Sequence, residues 1–143
     1  MAIAVELRHI SKRFPGVIAN KDVSIKVESG SVHALIGENG AGKSTVMKIL
    51  YGMQRPDSGE ILVNGQSVQF KKPADSIEAG IGMVHQHFML ADNFTVLENI
   101  VLGYEPSHGG VIDFNAARTK INEMAAAYGL TVDPDALVED LGV

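Results

Sequence analysis

Gly37-Glu38-Asn39-Gly40-Ala41-Gly42-Lys43-Ser44-Thr45 follows directly on the apolar run Val32-His33-Ala34-Leu35-Ile36. The spacing Gly37-x-x-x-x-Gly42-Lys43-Ser44 is that of a phosphate-binding loop. Each residue type in it has a mechanical reason to be there. Glycines let the backbone take positive φ and aim consecutive N–H groups at one anion. A helix starting near Lys43 adds its positive dipole end. The Lys43 ammonium can reach the β- and γ-phosphates, the Ser44 hydroxyl is placed to ligate a bridging Mg²⁺, and Thr45 lies one residue further, toward the α-phosphate. The bland alternative is a glycine-rich turn that merely joins a strand to a helix.

The flanking pattern favours the phosphate loop. Val32–Ile36 is apolar at consecutive positions, as in a strand covered on both faces. Lys43–Tyr51 carries Val46, Met47, Ile49 and Leu50 at helical spacing, with Gly52 as a stop. Upstream, Val5–Ile10 and Val23–Val27 alternate apolar and polar, which predicts half-buried antiparallel outer strands. Downstream, a turn over residues 54–59 leads to a strand at Glu60–Val63, a hairpin turn at Asn64-Gly65 and a return strand at Ser67–Phe70. Pro73–Ala79 reads as a short helix opened by its proline. Ile81–Val84 reads as a second buried strand, ending at His85-Gln86-His87. From Phe88 the pattern turns helical, with Thr95 capping Val96–Leu102 and a longer helix from Phe114 or Asn115 to Tyr128. A boundary between subdomains is expected between Gln86 and Asp92.

Composition narrows the function classes. At 143 residues and 45% hydrophobic, the chain has the size of one ordinary domain. Its 12 basic and 17 acidic side chains give a net charge of −5, which disfavours nucleic acid as a partner. The absence of cysteine removes disulfides and thiolate metal sites and suits a reducing compartment. No basic leader or apolar stretch of membrane-spanning length is evident, so a soluble, cytosolic chain is expected.

A nucleotide triphosphate is therefore expected at the loop. A GTPase would carry an Asn-Lys-x-Asp base-reading element downstream; Asn20-Lys21-Asp22 precedes the loop at the wrong spacing. Phe14, in Lys12-Arg13-Phe14-Pro15-Gly16-Val17, is placed to stack on an adenine, or else to pack in the core. Together these residues resemble the ATP-binding cassette ATPases, the motor subunits of membrane transporters. The resemblance runs through the aromatic Phe14, the segment Gly37–Thr45, Tyr51-Gly52, Pro56-x-Ser58-Gly59 and Val84-His85-Gln86. Its wording is most similar to the importers of simple sugars and nucleosides. It implies an α/β P-loop NTPase fold, present in part, with antiparallel outer strands around a P-loop core and the start of a helical subdomain. Residues 1–87 would form the nucleotide-binding core, and residues 88–143 the helical subdomain, truncated before the signature motif.

The same resemblance implies the site. ATP would be held by Phe14, Asn39, Gly40, Ala41, Gly42, Lys43, Ser44 and Thr45. Mg²⁺ would be held by Ser44 and Gln86, with Lys43 and Gln86 as the catalytic pair and Gln86 also sensing the membrane subunit. Implied partners are transmembrane permease subunits and a second cassette, on the inner face of the cell membrane. Three family elements have no match: the Leu-Ser-x-Gly-Gln signature, the apolar run ending in Asp-Glu, and the switch histidine. Val111-Ile112-Asp113 has too short an apolar run and starts a helix, and Leu137-Val138-Glu139-Asp140 fits no better. Leu141-Gly142-Val143 aligns with the first signature positions, with Gly142 where the family has serine, so a front half of a cassette is expected that binds without efficient hydrolysis. Two rival readings are a non-catalytic nucleotide-binding module and a P-loop kinase, the latter needing an arginine-rich lid where only Arg118 is found. The pair His85 and His87 lacks a third metal ligand, and Lys71-Lys72 reads as solvated surface.

Overall fold

The computed structural model describes residues 2–85, 90–103, 105–108 and 111–141. They form two compact units, Met1–Val84 and His85–Val143. In the first, β1 (Ile3–Phe14) and β2 (Val17–Glu28) pair antiparallel, and β3 (Ser58–Val63) and β4 (Gln66–Val68) extend the sheet in the order β2-β1-β3-β4. The β3–β4 hairpin turns at Asn64 (φ 50°) and Gly65 (φ 80°), the two positive angles that a tight primed turn requires. The expected return strand Ser67–Phe70 is observed one residue earlier and shorter, as Gln66–Val68.

The long β1–β2 hairpin departs from simple alternation. Between the pairs Leu7↔Ile25 and Ile10↔Val23, β1 carries one extra residue; between Ile10↔Val23 and Lys12↔Asn20, β2 carries one. His9 (φ 52°) and Asp22 (φ 55°) occupy these two bulges. Their released N–H groups donate to hydroxyls across the hairpin, His9 N to Ser24 Oγ and Asp22 N to Ser11 Oγ, both at 3.0 Å. Their side chains meet at 2.6 Å between His9 Nδ1 and Asp22 Oδ1. Each bulge resets which residues face inward. Leu7 and Ile10 are both buried although three positions apart, and Asn20 is buried on β2.

Leu7, Ile10 and Ile61 from the sheet pack with Phe70 and with Val46 and Ile49 of helix α1 (Lys43–Leu50). Gly52 (φ 78°) ends that helix in a place no side chain fits, because a Cβ would lie 2.8 Å from Lys72 O. Helix α2 (Pro73–Glu78) starts with Pro73 and accepts two N–H bonds on Asp75, from Lys71 at 2.7 Å and Lys72 at 3.2 Å. Ser76, fully buried, places its hydroxyl 2.7 Å from Tyr51 O and 2.8 Å from Pro73 O, tying α2 to the end of α1.

Two expected strands are not observed. Val32–Ile36 and Ile81–Val84 have no ladder partner among the described residues and are irregular. A strand is defined by hydrogen bonds to neighbours, so apolar sequence alone does not make one. Val32 and Ile36 are 101% and 90% exposed rather than covered on both faces.

In the second unit, α3 (Val96–Val101) packs Leu97 and Val101 against Ala117 and Ile121 of α4 (Phe114–Ala127). Thr95 caps α3 with a reciprocal Glu98 pair: Glu98 N donates to Thr95 Oγ1 at 3.2 Å, and Thr95 N donates to Glu98 Oε2 at 2.8 Å. The next two N–H groups of α3 donate to carbonyls of the returning chain, Val96 to Ala136 and Leu97 to Pro134. Asp113 caps α4 through Ala116 N at 2.9 Å. Residues 90–95 do not continue the expected helix; they form a turn held by Asn99, whose amide bonds Ala91 N and O. The pairing of β5 (Ser107–His108) with β6 (Val111–Ile112) and a 3₁₀ turn at Val138–Asp140 add elements without a sequence signal. Among the described residues no helix is long and apolar enough to cross a membrane.

Candidate nucleotide-binding site

The loop from Gly37 to Gly42 is shaped by its glycines. Gly40 and Gly42 both take φ 85°. Gly42 is the N-cap of α1 and offers no side-chain cap, so the first N–H groups of this helix are left for an external acceptor. At Gly42 the missing side chain is obligatory: a Cβ would lie 2.2 Å from Ala19 O and 2.6 Å from Asn20 Nδ2. Asn39, Gly40, Ala41 and Ser44 are exposed, whereas Thr45 and Lys43 are half-buried.

The Lys43 ammonium donates to Gly37 O at 2.7 Å and Glu38 O at 2.8 Å, bridging the end of the loop back to its start. An ammonium has three donors, and two carry these contacts. The fold therefore brings Asn39 to Thr45 together on one turn of chain that ends in a helix N-terminus.

Phe14 closes β1 opposite Val17, 38% exposed, with Lys12 Nζ 5.6 Å from its ring centroid. Lys12 is fixed by Asp57, which accepts Lys12 Nζ at 2.9 Å and Arg13 N at 2.7 Å. These bonds, with the Lys12 side-chain hydrogen bond first, hold the Asp57 carboxyl below its ordinary pKa. The turn at Asp57-Ser58-Gly59 also needs glycine: Gly59 (φ 103°) lies so near β1 that a Cβ would be 2.6 Å from both Arg8 O and His9 O. Gln86 and His87 fall outside the described residues.

Two residues beside the site escaped sequence reasoning. Asn20, considered only as part of a base-reading element, donates its amide to Gly42 O at 3.2 Å. Asp57 gave no signal beyond its turn-forming neighbours, because its bonds reach back 44 and 45 positions.

Residues 20–141 match the model of the family described as ABC transporter. The chain belongs to the ABC transporter family. Relatives in that family include the guanosine import ATP-binding protein NupO of Bacillus subtilis, 47% identical over all of this chain, and the nucleoside import ATP-binding protein NupA of Lactococcus lactis, 48% identical over 97% of it. The ribose import ATP-binding protein RbsA 1 of Rubrobacter xylanophilus is 48% identical over 97% of the chain. The chain spans 28% of the length of each of these three proteins. Among solved structures, a nucleotide-free ATP-binding cassette from an ABC transporter superposes with a TM-score of 0.77 at 26% identity, covering 98% of this chain and 59% of that one. A structure of the ADP conformation of an ATP-binding cassette of an ABC transporter gives 0.75 at 25% identity, over 99% and 60%. The fold is that of ABC cassettes of the P-loop class, and the α/β architecture expected from sequence is the one observed.

Proposed function

We propose that residues 37–45 bind the phosphates of ATP, and that the chain is the nucleotide-binding front portion of the ATP-binding subunit of an ABC importer for nucleosides or simple sugars. The observation that carries the phosphate site is the uncapped N-terminus of α1, entered through two positive-φ glycines and crossed by Lys43. The importer class rests on the kinship with the nucleoside and ribose import proteins. Residues 1–87 act as the nucleotide-binding core, and residues 88–143 begin the helical subdomain, ahead of the signature motif.

In this reading Asn39 to Thr45 wrap the phosphates with backbone N–H groups, Lys43 supplies a fixed cation, and Phe14 stacks on the adenine with Lys12 behind it. Mg²⁺ fits the donor set: the exposed Ser44 hydroxyl is a hard oxygen ligand, and Gln86 is assigned as the second. Bound there, the ion would neutralise charge on the β- and γ-phosphate oxygens. Gln86 orients the attacking water, while the carboxylate that takes its proton lies past residue 143 in cassettes of this kind. The parent protein would work on the inner face of the cell membrane, where ATP closes two cassettes, hydrolysis reopens them, and permease subunits follow.

The decisive experiment is Lys43→Ala. Removing the one cation that spans the loop is expected to abolish detectable MgATP binding by titration calorimetry. Unchanged affinity would overturn the phosphate-loop assignment.

A further inference from the structure

Asn20 stands out as a poor choice for stability. It is 5% exposed on β2, and its Oδ1 is buried with no hydrogen-bond partner among the described residues. A buried polar atom left unpaired is costly, and an apolar side chain of similar size would avoid that cost. Nor does Gly42 O depend on the amide, since it already accepts Val46 N at 3.0 Å as the first bond of α1. What the Asn20 amide adds is a second donor on that same carbonyl, at 3.2 Å.

The geometry of a trans peptide gives this second donor a purpose. Gly42 C=O and Lys43 N–H belong to one planar unit and point in opposite directions. Holding the oxygen from the β2 side therefore sets the direction in which Lys43 N–H faces. The contact is close enough that Asn20 Nδ2 and Ala19 O fill the space where a Cβ of Gly42 would be. The Asp22 bulge is what turns Asn20 inward: in an even ladder continuing from Val23, Lys21 would hold the inward position instead.

We propose that Asn20 is a positioning residue of the phosphate loop: its amide fixes the Gly42–Lys43 peptide plane so that the Lys43 N–H is aimed at the bound phosphate before ligand arrives. The proposal rests on the phosphate-loop reading above. It assigns Asn20 to the triphosphate moiety, with no part in recognising the base.

The test is Asn20→Leu, which keeps the bulk and removes the donor, with Asn20→Ser as a second variant whose hydroxyl is too short to reach Gly42 O. Affinities for MgATP and for Mg-tripolyphosphate are measured alongside the thermal midpoint by circular dichroism. Both ligands should weaken by the same factor, about tenfold, since small misplacements of a pre-organised site are costly. The thermal midpoint of Asn20→Leu should equal or exceed that of the wild-type chain. Unchanged affinities, a larger loss for MgATP than for tripolyphosphate, or a loss matched by a lower thermal midpoint in both variants would each overturn the proposal. A wild-type chain that binds neither ligand would overturn the loop reading and this proposal with it.

Discussion

Phe14 is the residue whose role depends most on what lies on its two faces. Lys12, fixed by Asp57, sits over one face at 5.6 Å, and at 38% exposure the ring keeps surface for a second partner. A stacked base contributes about 1–3 kcal/mol, so Phe14→Ala should weaken MgATP by that amount and leave tripolyphosphate unchanged, as read by calorimetry. Equal losses would make Phe14 a packing residue. Glu6 carries a different, pH-dependent contribution. Its nearly buried carboxylate lies 2.7 Å from Arg8 Nη2 and 3.1 Å from Lys26 Nζ. The Arg8 hydrogen bond first, then Lys26, lowers its pKa from 4.5 to about 2. A depressed folded-state pKa stabilises the fold above the unfolded value, and that stability is lost as pH falls through the folded one. Urea midpoints of the wild-type chain should therefore exceed those of Glu6→Gln at neutral pH, and the gap should close between pH 4.5 and about 2. A gap that persists at the acid end would place the effect in packing.

At the scale of elements, local chemistry was legible and pairing was not. The stop of α1 at Gly52, the Pro73 start of α2, the Thr95 cap and the Asn64-Gly65 turn are each written in a few adjacent residues. Thr95→Ala should cost about 1 kcal/mol of the second unit's stability by denaturant unfolding. No change would mean that the bonds Val96 N and Leu97 N donate to the Ala136 and Pro134 carbonyls already satisfy the helix start. Val32–Ile36 and Ile81–Val84 misled because apolar runs report burial, whereas strand structure requires a hydrogen-bonded neighbour. The bulge at His9 leaves only the three-residue step from Leu7 to Ile10, which reads as part of an alternating run, and the bulge at Asp22 leaves no apolar mark because the inward residue after it is the polar Asn20. The site divides in the same way. Residues 37–45 are contiguous and were read directly, whereas Asn20 reaches the loop across 22 positions.

For the whole molecule, what the 143 residues contain separates binding from turnover. In the proposed reading Ser44 and Gln86 serve the metal and the water, but no segment of the sequence matches the apolar run that ends in Asp-Glu. The Val111-Ile112-Asp113 candidate is spent differently: Asp113 is the N-cap of α4. In the same proposed reading, donors to the γ-phosphate would come from the signature loop of a second cassette, and losing even one such donor costs about 10²-fold or more in rate. The chain should therefore bind MgATP and show no phosphate release above a Lys43→Ala control at saturating substrate. Multiple turnovers absent from that control would mean that a carboxylate within these residues acts on water, with Glu38, Asp92 and Asp113 the ones to substitute.

The paired bulges of β1 and β2 bear on how such a chain is compared with its kin. Leu7↔Ile25 and Lys12↔Asn20 are the pairs an even ladder would also make, because one extra residue on each strand cancels in length. Only the parity between and beyond the bulges is rewritten, which is why Ile10 and Asn20 are the inward residues. A related hairpin without bulges would align to this one with no gap, column for column, while presenting the opposite residue to the loop at residues 37–45. In this stretch, alignment conserves position and loses orientation, so a residue's role passes between relatives only when the backbone angles at positions 9 and 22 pass with it.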